Sequence, residues 1–187
     1  MTGYLEFVLI TSYMAITYHV IALKYRRSRG FLYSSPASRT FQVLLHIFIV
    51  ITNIILYLLL ISKDFSSVHI VFRITGILVF CSGLFMIFWG MYSLRKGVFV
   101  PGKKLIVTGP FAIVRHPMYL GGIAGASGLA IFAGSLQGLL YSFILGAVLH
   151  HIAKAEEEDL EARLGQEYTD YMRKVPKLLP CMTWDKK

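Results

Sequence analysis

Two short segments of the chain carry side chains that could bind a charged ligand. The first is Arg115-His116-Pro117-Met118-Tyr119, and the second is the acidic run Glu156-Glu157-Glu158-Asp159. Pro117 suits the first turn of a helix, so a helix is predicted to begin at His116 or Pro117. The unpaired backbone N–H groups and the positive dipole end of such a helix favour a nearby carboxylate or phosphate. Arg115 and His116 would lie beside that end.

Each segment taken alone also has an ordinary structural explanation. An Arg-His pair beside a membrane helix is commonly an interfacial anchor, an acidic run after a span is commonly a solvated face, and Tyr119 could belong to an aromatic belt. The apolar stretch between the segments, Met118 to Ile152, is too long for one crossing, and Ala133-Gly134-Ser135 interrupts it. We therefore predict a helical hairpin, whose antiparallel arms would bring the two segments into one site.

The composition indicates a membrane protein, because 56% of the 187 residues are hydrophobic. Three further runs carry almost no charge over roughly 20 residues, the length needed to cross ~30 Å of hydrocarbon. They are Gly3 to Leu23, Phe41 to Ser62 and Ile70 to Tyr92. The predicted fold is an all-α membrane protein of about five transmembrane helices, the last two a helical hairpin, followed by a cytosolic amphipathic C-terminal helix.

The chain divides into two parts. Residues 1–92 are predicted to form three N-terminal transmembrane helices with a basic cytosolic loop at 24–40, and residues 93–187 to form the catalytic half. The second part comprises a cytosolic loop at 93–117, the hairpin at 118–152 and an amphipathic segment at 153–187. Gly and Pro punctuate the loop, which favours a functional role over a plain connector. Apolar residues recur at helical spacing in the last segment: Leu160, Leu164, Tyr168, Tyr171 and Met172.

The net charge is +9, and the basic residues responsible lie in the loops rather than on a nucleic-acid-binding face. Basic residues fill the first and third loops, whereas the second offers only Lys63 and Asp64. By the positive-inside rule the basic loops, the site and the C-terminus face the cytoplasm, and the N-terminus lies outside. We expect the first apolar run to be a retained helix, because it lacks a basic leader and a cleavage site.

Metal and disulfide chemistry find no support in the sequence. The two cysteines, Cys81 and Cys181, suggest neither a disulfide framework nor a zinc site. His19 and His46 lie within the first two predicted spans, where a lone histidine is more often a packing residue than a ligand. No metal ligand is therefore predicted.

The order and spacing of the two motifs resemble those of the isoprenylcysteine carboxyl methyltransferase and phospholipid methyltransferase superfamily. The resemblance covers about residues 93 to 180, from the Arg115 motif through Glu156-Glu157 to a set of C-terminal residues: Leu160, Gly165, Tyr168, Tyr171 and Pro180. It implies an integral membrane methyltransferase without a Rossmann domain. In this superfamily S-adenosylmethionine binds at the cytosolic side and a lipophilic acceptor enters from the bilayer.

The resemblance also implies roles for individual residues. Four would line the pocket for the methyl donor: Leu105, Gly109, His116 and Tyr119. Glu156 or Glu157 would bind the amino-acid or ribose end of the donor, and Arg115 and Glu157 would lie at the reacting centre as catalytic residues. S-adenosylmethionine carries a sulfonium, an ammonium and a carboxylate, for which an aromatic face, a glutamate and a helix N-terminus are suitable partners. Methyl transfer then requires mainly alignment and exclusion of water.

The chain departs from the eukaryotic prenylcysteine enzymes after Tyr119, where it lacks their tryptophans, and it has fewer predicted spans. A prenylcysteine acceptor is therefore not expected, and a carboxylate, thiol or amine on an isoprenoid or lipid body stays open. One face of the fourth span carries small residues: Gly121, Gly122, Gly125 and Gly128. Such a face allows close helix packing, which we favour, or a groove for an acyl or prenyl chain.

Two other functions compete with this one. A membrane reductase of the sterol type would use a nicotinamide cofactor, but the short N-terminal half and the glutamate pair count against it. A non-enzymatic membrane scaffold or transport subunit would bind anionic lipid headgroups through its basic loops. It does not explain why Arg-His-Pro and two glutamates reach one corner. We expect a lipophilic substrate and membrane lipids as partners, no nucleic acid, and make no prediction of oligomeric state.

Overall fold

A computed structural model describes residues 68–95 and 105–179, together with five isolated helical positions: Tyr13, Ile51, Ile54, Ile55 and Leu58. Apart from those positions, the spans predicted at 3–23 and 41–62 and the loop at 24–40 lie outside the described residues, as do residues 96–104 and 180–187. The described part contains helices and no strand. The helices are α1 (Ile70–Arg95), a 3-10 turn (Gly109–Ala112), α2 (Pro117–Ala133), α3 (Leu136–Leu164) and α4 (Gln166–Lys174). The all-helical prediction is confirmed for this part.

Two described helices are long and apolar enough, by length and composition, to cross a membrane. They cover Ile70–Leu94 and Leu136–Leu164, and the apolar helix between them, Pro117–Ala133, is shorter. Large apolar side chains on α1 point away from the described protein, with Leu78 at 65% and Phe88 at 63% exposure. Exposing so much apolar surface to water would be unfavourable. Lipid hydrocarbon around α1 removes that free-energy cost.

The interface between α1 and α2 consists of glycines in backbone contact. A Cβ atom built on Gly83 would lie 2.6 Å from the carbonyl oxygen of Gly121, and one on Gly121 would lie 2.6 Å from the carbonyl oxygen of Gly83. A Cβ on Gly128 would meet the backbone of α1 at Gly76 and Phe80. Close helix packing thus involves three of the four predicted small residues, since a Cβ on Gly83 would also lie 2.6 Å from the backbone nitrogen of Gly125. Gly122 differs, because nothing lies within 4 Å of a Cβ built there.

The predicted hairpin is present, and its break falls within Ala133-Gly134-Ser135. Gly134 adopts a left-handed conformation with φ of 66°, which ends α2, and its N–H donates to the carbonyl oxygens of Ala130 and Ile131. The hydroxyl of Ser135 then accepts from the N–H of Gly138 at 3.0 Å and caps α3. A left-handed glycine followed at once by an N-cap reverses the chain without a loop.

Helix α3 runs on through residue 153, where the amphipathic segment was predicted to begin. Its 29 residues span about 43 Å, which exceeds the ~30 Å hydrocarbon thickness and leaves roughly two turns to protrude. It ends at Gly165, whose φ is 58°. The chain then turns back into α4, and Tyr168, Tyr171 and Val175 form a buried cluster that contacts the end of α3. The helical spacing predicted for these residues is therefore divided between two helices.

Candidate functional site

The loop before α2 is held in place by buried contacts. Pro110 and Val114 are fully buried, and the hydroxyl of Tyr171 donates to the carbonyl oxygen of Phe111 at 2.6 Å. The 3-10 turn ends at Ala112, and α2 begins at Pro117 with His116 as its N-cap residue. The start predicted from Pro117 is confirmed. Arg115 and His116 thus stand at the N-terminus of a helix.

A second segment, Val175–Lys177, pairs with this loop through the backbone. The N–H of Arg115 donates to the carbonyl oxygen of Pro176 at 2.9 Å, and the N–H of His116 donates to that of Lys177 at 3.1 Å. The guanidinium of Arg115 adds contacts from Nη1 to the carbonyl oxygens of Met172 at 2.6 Å and Val175 at 2.9 Å. The C-terminal segment therefore lies directly against the N-terminus of α2.

The carboxylate of Glu157, on α3, receives three cationic groups. Its Oε1 accepts from Arg115 Nε at 2.8 Å and lies 3.1 Å from His116 Nε2, while its Oε2 lies 2.8 Å from Lys177 Nζ. The side chains of Arg115, His116 and Glu157 are about nine-tenths buried, and that of Lys177 is 18% exposed. We call these four residues, together with Glu156, the Glu157 cluster.

Glu156 is more accessible than its neighbour. Its side chain is 23% exposed, and its Oε2 lies 3.5 Å from His116 Nδ1. Both ring nitrogens of His116 therefore face carboxylates, which suits the doubly protonated imidazolium, since both nitrogens then donate. Burial alone would lower the pKa of His116, but the hydrogen bonds to Glu156 and Glu157 outweigh it and raise the pKa above its ordinary value.

Aromatic rings lie on one side of this cluster. The ring of Tyr119 stacks on that of His116, with centroids 5.4 Å apart and an interplanar angle of 4°. Tyr119 also packs against the buried cluster of Leu149, Ile152 and Ala155 on α3. The stacked pair gives the site a flat face one turn into α2, next to the accessible carboxylate of Glu156.

Two buried donors have no hydrogen-bond partner among the described residues. Tyr168 is 2% exposed, yet no described group pairs with its hydroxyl, whereas Tyr171 binds Phe111. Arg115 uses Nε and Nη1 but leaves Nη2 without a described partner. Burial raises the pKa of Tyr168 above its usual range and that of Tyr171 to about 12, so both hydroxyls stay protonated and can donate.

The structure brings together five of the residues predicted from sequence: Arg115, His116, Tyr119, Glu156 and Glu157. The other two have different neighbours. Leu105 packs on the cluster of Tyr168, Tyr171 and Val175. A Cβ on Gly109, whose φ is 64°, would lie 2.8 Å from the hydroxyl of Ser93 on α1.

Sequence reasoning missed Lys177 and the segment around it. Nothing in the spacing of Lys177 distinguishes it from nearby lysines such as Lys174, because its role depends on backbone pairing across more than 60 residues. Nor does the sequence distinguish the hydroxyl of Tyr168, which has no partner among the described residues, since the sequence indicates only an apolar periodicity there. The one available sequence signal for this segment was a lysine directly after a proline, Pro176-Lys177.

A family model for phospholipid methyltransferases matches residues 71–167 of this chain, which is 97 of its 187 residues. The protein-S-isoprenylcysteine O-methyltransferase of Schizosaccharomyces pombe is 34% identical over 42% of this chain and 34% of its own length. The nickel-cobalt-cadmium resistance protein NccN of Alcaligenes xylosoxydans xylosoxydans is 28% identical over 46% of this chain and 42% of its own. The delta(14)-sterol reductase TM7SF2 of Mus musculus is 31% identical over 40% of this chain and 18% of its own.

The chain spans less than half the length of these curated relatives. No solved structure gives a significant match. The matched region contains α1 except Ile70, all of α2 and α3, and the Arg115 and Glu157 positions.

Proposed function

This chain belongs to the phospholipid methyltransferase family, and we propose that it is an integral membrane enzyme that transfers a methyl group from S-adenosylmethionine to a lipophilic acceptor. The observation that carries the proposal is the meeting of the α2 N-terminus with the paired glutamates of α3. Arg115 Nε and His116 Nε2 both lie within 3.1 Å of Glu157 Oε1 there. Burying charged groups is costly even when they are paired, so a buried charged corner favours a functional site over a purely structural scaffold.

The chemical groups around the cluster fit the methyl donor. Glu156 has an accessible carboxylate that suits the ammonium group or the ribose hydroxyls, and the stacked rings of His116 and Tyr119 suit the sulfonium or the adenine. The N-terminal amides of α2 suit the carboxylate. Arg115 Nη2 and the hydroxyl of Tyr168 are buried donors without a described partner, and a ligand acceptor would satisfy them. Bound there, the donor supplies an electrophilic methyl group.

Glu156 is the better candidate of the two glutamates for direct contact with the donor. Both oxygens of Glu157 already accept from side chains of this chain, so a ligand cation would have to displace Arg115, His116 or Lys177. We therefore assign Glu157 to orienting His116 and Arg115, and Glu156 to binding. Acceptor alignment and exclusion of water would then fall to the residues around Tyr119.

We also propose five crossings, with the N-terminus outside and the site at the cytosolic face. Helix α1 ends at Arg95, and a Cβ on Gly90 of α1 would contact Met118 at the start of α2, so this end of α1 lies beside the site. The basic residues that follow α1 favour the cytoplasmic side. The protruding end of α3 holds Glu156 and Glu157 beyond the hydrocarbon.

The test is calorimetric titration of the full chain in detergent with S-adenosylhomocysteine and, separately, with NADPH. We expect binding of the first only, a loss of at least about tenfold in Glu156→Gln and His116→Gln, and no change in Glu167→Gln. Glu167 is the matched control, since it is an exposed glutamate on α4. Failure of the wild type to bind S-adenosylhomocysteine, or equal effects in all three variants, would refute the proposal.

The NADPH titration addresses a second candidate, a membrane reductase, which the similarity to TM7SF2 favours. Binding of NADPH without S-adenosylhomocysteine would establish it instead. The acceptor is best sought by tritiated-methyl transfer to lipid extracts and to farnesylated thiols. Transfer to an extract but not to the thiols would agree with the lack of tryptophan in Leu120-Gly121-Gly122-Ile123, directly after Tyr119.

A further inference from the structure

Lys177 is attached to the α2 N-terminus through both its backbone and its side chain. Its carbonyl oxygen accepts from the N–H of His116 at 3.1 Å, and its Nζ lies 2.8 Å from Glu157 Oε2. The side chain is 18% exposed, so the ion pair is largely shielded from water. A pair of this kind is held more firmly than an exposed one.

Lys177 determines how the two carboxylate oxygens of Glu157 are divided among their cationic partners. Oε1 of Glu157 serves Arg115 Nε and His116 Nε2, and among the described residues Lys177 is the one partner of Oε2. Without the lysine, a nine-tenths buried carboxylate would have a free oxygen in a poorly solvated place. The carboxylate could then rotate toward His116, and His116 would be drawn from Glu156.

We infer that Lys177 is a positioning residue of the donor site, which fixes the Glu157 carboxylate and holds the segment Val175–Lys177 over the N-terminus of α2. The inference rests on the proposed function. Lys177 touches the residues that would bind the donor, and it acts through them. Its removal should therefore raise the KM for S-adenosylmethionine, with little change in kcat once the donor saturates the site.

The variants that test this role are Lys177→Met, Lys177→Arg and the control Lys174→Met. Lys174 lies three residues away and is exposed. Titration with S-adenosylhomocysteine should give about tenfold weaker binding in Lys177→Met, which corresponds to about 1.4 kcal/mol. Lys177→Arg should recover most of it, because the guanidinium restores the positive charge, and Lys174→Met should match the wild type.

Histidine NMR provides a readout that a purely structural role would not move. In ¹⁵N-histidine-labelled protein without ligand, the pKa of His116 should rise in Lys177→Met relative to the wild type, because one cation that binds Glu157 is gone. In Lys177→Arg the pKa of His116 should return to its wild-type value, because the positive charge is restored. Other titratable groups near His116 are Tyr119 on α2, Arg115 on the loop, and Glu156, Glu157 and His150 on α3, and these stay unchanged in every variant.

Each result decides the matter. Unchanged binding and an unchanged His116 pKa in Lys177→Met would overturn the inference, as would weaker binding that Lys177→Arg fails to recover. A lower unfolding temperature with the His116 pKa unmoved would make Lys177 a structural residue and also overturn it. If the wild type fails to bind S-adenosylhomocysteine, the proposed function falls, and the His116 titration still shows whether Lys177 positions the carboxylate.

Discussion

Glu156 and Glu157 are adjacent glutamates, yet we expect them to respond in opposite ways to the same substitution. Glu157→Gln should destabilise the protein, while Glu156→Gln should leave its stability nearly unchanged and weaken the binding of S-adenosylhomocysteine. The difference arises from their surroundings. Glu157 is nearly buried and has three cationic partners, whereas Glu156 is 23% exposed and has one described partner, at 3.5 Å.

The magnitude for Glu157→Gln follows from its contacts. The amide keeps one acceptor oxygen and turns an NH₂ group toward the other donors, so it cannot serve Arg115, His116 and Lys177 together. Removing one partner of a buried ion pair costs about 3 to 5 kcal/mol, and the surviving acceptor favours the lower end of that range. We expect a loss of about 3 kcal/mol for Glu157→Gln and less than about 1 kcal/mol for Glu156→Gln.

Reversible denaturant unfolding in detergent micelles, followed by circular dichroism, measures both values. Titration with S-adenosylhomocysteine, at a temperature where each variant is folded, measures the expected loss of binding in Glu156→Gln. If Glu157→Gln were as stable as the wild type, the three contacts would not hold the cluster together. If Glu156→Gln lost more stability than Glu157→Gln, the assignment of their roles would be reversed.

Three further predictions concern stability alone and use the same unfolding assay. Tyr171→Phe should lose about 1 to 3 kcal/mol, because it leaves a buried carbonyl unpaired. Tyr168→Phe removes a hydroxyl that has no partner in the described part of the chain, and it should be no less stable than the wild type. Gly121→Ala should cost at least about 1 to 3 kcal/mol through backbone overlap, and Gly122→Ala should be neutral or stabilising; equal losses would refute the packed interface. His116 has a raised pKa, so its contribution to stability is complete below about pH 6.5 and is lost as pH rises through the raised value; His116→Gln should lack this decline.

The corner of the site could be predicted because local rules determine it. Pro117 identifies the start of α2, and Gly134 followed by Ser135 identifies the hairpin, so the two ends that carry Arg115 and Glu157 had to meet. These are signals within a few residues of sequence. The length of the connection leaves the arms no other arrangement.

The partners of these residues could not be predicted, because they come from distant parts of the chain. The glycines of α2 were recognisable as a small-residue face, but Gly76 and Gly83, which oppose them on α1, lie in an apolar run where glycine has many uses.

The contact between Lys177 and Glu157 was not predictable either, because Lys177 reaches Glu157 only after the chain turns back at Gly165 into α4. That α3 continues through residue 153 was also not predictable, since polar residues can continue a helix beyond the membrane.

The unbroken course of α3 makes the site sensitive to the number of residues between the hairpin and the glutamates. Each residue added to or removed from a helix turns everything beyond it by about 100° and shifts it by about 1.5 Å. A single insertion between Leu136 and Ala155 would swing the carboxylates a quarter-turn away from Arg115, although every side chain of the cluster would still be present. Among homologous sequences, the count of residues in this stretch should vary less than their identities.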